Sequence, residues 1–174
     1  MAAPAVPVDD APVVPSVDAW RAMTADERQR FIDEANAVLN EAAEAMGEGR
    51  PHFRAKTRLV DALDLYFRTL GRPIYLASEL TVLYPGERAF TPDVFAVVDV
   101  TEPEDDRRPA WVVADEGRGP DLVLEVLHRG DRHKDLVDNV ERCARVGITE
   151  YFVFDARDER IVGCRLQEIG RAHV

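Results

Sequence analysis

The sequence predicts an α/β (α+β) domain, a mixed sheet with helices packed on it. Three observations point there. Two amphipathic stretches come first; β-rich runs then alternate with a further helical stretch; and one run, around residues 121–127, is apolar almost throughout, as in a strand covered on both faces.

In chain order, residues 1–17 form a Pro/Ala-rich tail in which Pro4, Pro7, Pro12 and Pro15 block helix and sheet alike, so disorder is expected there. Residues 18–50 form a helical extension. Thr24 and Glu27 have capping-box spacing, the stripe Phe31, Ala35, Val38, Leu39, Ala42 and Met46 follows at helical period, and Gly47 offers a stop. A second helix over 52–70 shows Leu59, Leu63, Phe67 and Leu70 on one face and ends at Gly71 and Pro73.

Residues 74–84 read as one long strand, 85–88 as a turn, and 93–100 as a second strand after Pro92. Residues 101–109 are a charged loop, and 111–114 a short edge strand. The covered strand at 121–127 is followed by a helix over 131–146 that closes at Gly147, then by strands at 150–155 and 161–166. The domain proper is expected to span residues 51–174.

Composition narrows the function. The 174 residues carry 33 acidic and 22 basic side chains, a net charge of −11, and 46% are hydrophobic. The core can be substantial, and a protein that coats nucleic acid non-specifically is disfavoured, though a local basic cleft is compatible with that charge. No apolar run reaches the length of about 18 residues that a membrane helix needs, and no secretory leader pattern opens the chain. Cys143 and Cys164 are too few for a disulfide framework or a four-cysteine zinc site, and read as reduced thiols of a cytoplasmic protein. No membrane or small-molecule cofactor is expected. Only two lysines occur, Lys56 and Lys134, so any chemistry that needs an amine has two side-chain candidates.

The most informative residues are acids inside apolar strands, because a buried carboxylate is costly unless a cation or donors meet it. Asp93 opens a strand directly after a proline, and Glu125 interrupts Leu-Val-Leu-Glu-Val-Leu. If the two strands are neighbours, both acids converge at one end of the sheet and form a hard oxygen site for Mg²⁺ or Mn²⁺. The plainer reading is that each is a strand-end acid met by solvent or an arginine. That reading is stronger for Asp121, which shares a strand face with Glu125.

Pro92-Asp93 followed by Glu125-Val126-Leu127 resembles the PD-(D/E)XK nuclease signature. The ordered set Leu80-Thr81-Val82, Thr91-Pro92-Asp93-Val94, Pro120-Asp121-Leu122-Val123-Leu124-Glu125-Val126 and Gly147-Ile148-Thr149-Glu150-Tyr151-Phe152 is similar to the Uma-type putative restriction endonuclease family. The similarity covers about residues 50–166. It implies a restriction-endonuclease-like core, helix-strand-strand-strand-helix-strand, here with an extra N-terminal helix. It also implies Mg²⁺- or Mn²⁺-dependent cleavage of DNA phosphodiester bonds, with Asp93 and Glu125 as metal ligands. His52 matches a histidine often found at the start of the helix before the sheet, and Glu79 is a further acid, more plainly a surface strand residue.

The chain departs from this pattern at the lysine. Two residues after Glu125 stands Leu127. In the following helix, where the family commonly has a lysine and then a tyrosine, stand Asn139 and Cys143. Lys134 becomes the main candidate for the amine and Lys56 its only substitute, while Arg129 and Arg132 can bind phosphate. Two functions follow: a metal-dependent endonuclease, for which a homodimer would suit a duplex cutter, or an inactive nuclease fold that binds or regulates a partner.

Overall fold

The structure, a computed structural model, describes residues 10–46, 49–104, 106–127 and 137–165. Three helices lead: α1 (Val17–Ala22), α2 (Ala25–Met46) and α3 (Arg50–Thr69). Then come β1 (Ile74–Ser78), β2 (Val82–Leu83), β3 (Val94–Val98), β4 (Trp111–Val112), α4 (Val113–Glu116), β5 (Leu122–Leu127), α5 (Asn139–Val146), β6 (Glu150–Asp155) and β7 (Arg160–Arg165).

The principal sheet has five strands in the order β1-β3-β5-β6-β7. Its pairs are antiparallel except β5 with β6. A parallel pair needs a long crossover, and the segment containing α5 supplies it. Gly147 then ends α5 in the left-handed conformation at φ 80°, which glycine enters without a Cβ penalty.

β5 is covered on both faces, as its apolar run requires. Val123 and Leu127 join Phe95, Val97, Cys143, Ile148, Tyr151 and Val153 in one buried cluster. Leu124 and Val126 face the other way, into a cluster with Val94 and with Ala55, Leu59, Val60 and Leu63 of α3. Alternating side chains on a pleated strand make both contacts at once.

α2 begins with the expected capping box: Thr24 N–H donates to Glu27 Oε2 at 2.7 Å and Glu27 N–H to Thr24 Oγ1 at 3.3 Å. Four sequence expectations change. The expected disordered tail is ordered from residue 10 in the described part. Ala11 and Val14 are buried beside Trp20, Leu83 and Ala89, because Val14 N–H bonds Glu87 O at 2.8 Å and Ala89 N–H bonds Pro12 O at 2.9 Å. The helical extension is two helices, since the chain is extended at Met23 between α1 and α2.

The long strand at 74–84 is two strands in two sheets. Glu79 takes φ 55°, which breaks the ladder and lets β2 leave to pair with β4 in a separate two-stranded sheet. The edge strand expected at 111–114 stops at Val112 and continues as α4. Residues 1–9 of the tail and residues 128–136, the start of the expected helix, lie outside the described residues. So does Gly47.

Candidate active site

β3 and β5 run antiparallel, with Val94 opposite Leu124 and Phe95 opposite Val123. One step further along that register, Asp93 faces Glu125. The main chain ties the two together: Asp93 N–H donates to Glu125 Oε2 at 3.3 Å, and Val126 N–H donates to Asp93 Oδ2 at 2.7 Å. A side chain that accepts an amide from the neighbouring strand is held at the ladder's end by the ladder itself.

The carbonyl of Asp93 is also held. Ser78 Oγ donates to it at 2.9 Å and Glu79 N–H at 3.3 Å. Glu79 can make this contact because it turns left-handed where β1 ends. One residue therefore joins three strands' ends, and its carboxylate has little freedom.

α3 delivers two more groups. Arg50 and Pro51 open the helix, Pro51 in the first turn where a missing N–H is harmless. His52 follows, with Nε2 3.1 Å from Asp93 Oδ2. One turn later comes Lys56, 4% exposed, with Nζ donating to Glu79 Oε1. Burial pulls the Asp93 carboxyl upward. The hydrogen bond and charge of His52, the Val126 amide and the charge of Lys56 together outweigh it, and the carboxyl lies below the ordinary range.

α5 lies over the other face of β5. Asn139, at its first turn, is 7% exposed, and Cys143 one turn on is buried. Burial, and then the negative charge of Glu125, push the Cys143 thiol up to about 12, so it stays protonated and packs as a small apolar residue. Leu127 is 5% exposed within the same cluster.

The residues expected from sequence thus divide. Asp93, Glu125, His52 and Glu79 come together at one end of the β3–β5 pair. Asp121 does not join them. It lies at the opposite end of β5, where its Oδ2 accepts from Val98 N–H and from Arg118, both at 2.7 Å. Glu79 is not a strand residue but the left-handed link after β1. Lys134, Arg129 and Arg132 lie outside the described residues. Lys56, which sequence reasoning held only in reserve, lies in the cluster. Its signal was present: residues 56, 59, 60 and 63 have the spacing of one helix face, and three of the four are apolar.

Among the described residues, no three His, Cys, Asp or Glu side chains gather as a preformed metal cage. Two carboxylates at one register position are nonetheless the donor type that Mg²⁺ prefers, since it retains waters and takes one or two protein carboxylates alongside substrate phosphate. The donor set fits a hard divalent ion in kind. No described helix is long and apolar enough to cross a membrane.

Comparison with known proteins agrees with this architecture. The family model described as putative restriction endonuclease (Uma2) matches residues 26–173. A solved structure of a putative nuclease belonging to DUF820 from Anabaena variabilis superposes with a TM-score of 0.55 at 16% identity. The match covers 70% of this chain and 65% of that one, so this chain spans about two thirds of that protein's length. No curated protein matches.

Proposed function

The chain belongs to the Uma2 family of putative restriction endonucleases, and from that premise we propose that it is a divalent-metal-dependent endonuclease acting on DNA, with Asp93 and Glu125 as the metal ligands. The observation that carries this reading is their placement at one register position of adjacent strands, linked through the Asp93 N–H and the Val126 N–H. Two carboxylates at one register position offer hard oxygen donors that a divalent cation would satisfy.

In this reading the chain's residues have separate tasks. Asp93 and Glu125 hold the ion at the end of the sheet. The bound ion supplies Lewis acidity toward the phosphoryl oxygens. His52 orients the Asp93 carboxylate and keeps it ionised. Lys134, with Arg129 and Arg132, remains a candidate for meeting the phosphate from the chain following β5.

The test uses the purified full chain on supercoiled plasmid with Mg²⁺ or Mn²⁺. Nicking should require metal and fall by about 100-fold or more in Asp93→Ala and in Glu125→Ala. Equal behaviour of all three proteins, with and without metal, would overturn the enzyme reading.

The second reading is a nuclease fold retained as a binding or regulatory module. The burial of Leu127 and Asn139 at the two expected lysine positions favours it. It predicts no cleavage under any metal and a stable partner recovered by pull-down.

A further inference from the structure

We infer that Lys56, held by Glu79, is the amine of this site and supplies positive charge to the scissile phosphate in place of the lysine absent at positions 127 and 139. The inference rests on the nuclease reading above and names a residue for one of its tasks.

The first argument is cost. A buried ammonium is expensive even when paired, and replacing a buried ion pair by well-packed apolar residues is often neutral or stabilising. Lys56 is 4% exposed and occupies the sheet-facing row that Leu59, Val60 and Leu63 continue. A leucine or methionine there would serve packing alone at least as well.

The second argument is position. Lys56 lies one turn from His52 on the same helix, and His52 meets Asp93. The partner of Lys56, Glu79, is bonded through its own N–H to the Asp93 carbonyl. Lys56, Glu79, Asp93 and His52 are therefore one connected group. Glu79 is about half exposed, so this group opens to solvent on its side, where a substrate strand can approach.

The third argument is elimination among the described residues. Leu127 and Asn139 are buried and carry no charge. Arginine is not interchangeable with lysine here, because its planar guanidinium is larger and spreads its charge over three nitrogens. In this role Lys56 offsets charge on the phosphate and transfers nothing. Glu79 is a positioning residue that aims the ammonium.

The test has two arms on the full-length protein. In the first, Lys56→Met should lower metal-dependent nicking about 100-fold. Lys56→Arg, which keeps the charge, should recover part of that loss and shows that the loss is not one of folding. Glu79→Gln should lower nicking less than Lys56→Met does. In the second arm, ¹³C-lysine labelling gives two side-chain signals, one per lysine, assigned with Lys56→Arg. Added Mn²⁺ should broaden the Lys56 signal in the wild type and leave it sharp in Asp93→Ala. If Lys56→Met cuts like the wild type while Lys134→Met does not, the amine is Lys134 and this inference falls alone. A Lys56 signal that stays sharp while Mn²⁺ binds in an Asp93-dependent manner overturns it as well. A wild type that never cuts overturns the nuclease reading and this inference together.

Discussion

The two ends of the β3–β5 pair are built alike and equipped differently. At each end an acid preceding one strand reaches across to an amide of the other: Asp93 to Val126 N–H, and Asp121 to Val98 N–H, both at 2.7 Å. At the Asp121 end the side-chain partner is Arg118, three residues away on the same loop and partly exposed, with Arg72 acting through charge. At the Asp93 end the partners are His52 and, through charge, Lys56, both delivered by a helix some forty residues earlier. A strand-end acid that locks a ladder is thus ordinary. What distinguishes Asp93 is that its partners from outside the strand pair, His52 and Lys56, are themselves mostly buried, whereas Arg72 is half exposed.

The sharpest way to break this contrast is Leu127→Lys, which restores the signature's spacing two residues after Glu125. Leu127 lies in a closed cluster with Val123 and Cys143. An ammonium there has no route to water, and the variant should lose about 3–5 kcal/mol of stability by urea denaturation rather than gain activity. A stable and more active variant would mean that an amine beside Glu125, on its own face of β5, serves the site.

Next comes an isosteric pair. Asp93→Asn keeps an oxygen for the Val126 amide but removes the charge, so nicking should fall about 100-fold while the protein stays folded at the assay temperature. Asp121→Asn makes the same change at the other end and should leave nicking within about threefold. Comparable losses in both would erase the distinction between the two ends.

Smaller is the effect of deleting the structural acid outright. Asp121→Ala leaves the Val98 amide without its acceptor and should cost about 1–3 kcal/mol, with metal-dependent activity per folded molecule retained. Calorimetry and an active-fraction assay together check this.

The smallest is a pH effect. The folded carboxyl of Asp93 is lowered, so the unfolded chain binds more protons than the folded one as pH falls through the gap between the two values. Its contribution is present above the ordinary carboxylate pKa of about 4 and is lost on acidification through the lowered value. Thermal stability below about pH 4 should therefore fall more steeply in wild type than in Asp93→Asn. Parallel curves would mean that the carboxylate gains nothing from its partners.

Much of this was legible in the residues. The apolar run of β5 implied a strand covered on both faces, and the clusters around Val123 and Leu124 are those two faces. Thr24 and Glu27 named their own helix start. Other features were not legible, because they depend on contacts far apart in sequence. Proline spacing made residues 10–17 look unstructured, yet Val14 is paired with Glu87 and Gly86, more than seventy residues on. β-propensity made 74–84 one strand, yet a left-handed Glu79 divides it, because Asp93 O accepts the Glu79 amide and β4 awaits Val82 and Leu83.

The sequence by itself determined which acids stand inside apolar strands, that only two lysines exist, and that the usual lysine positions hold leucine and asparagine. Those are matters of residue type and local period, which a chain carries wherever it folds. Only the tertiary structure decided that Asp93 and Glu125 share one register position while Asp121 lies elsewhere, and that Lys56 pairs with Glu79, whose amide bonds the Asp93 carbonyl. Strand order and helix docking fix those neighbours. They follow from burying both faces of β5 at once, a condition that no local stretch of sequence contains.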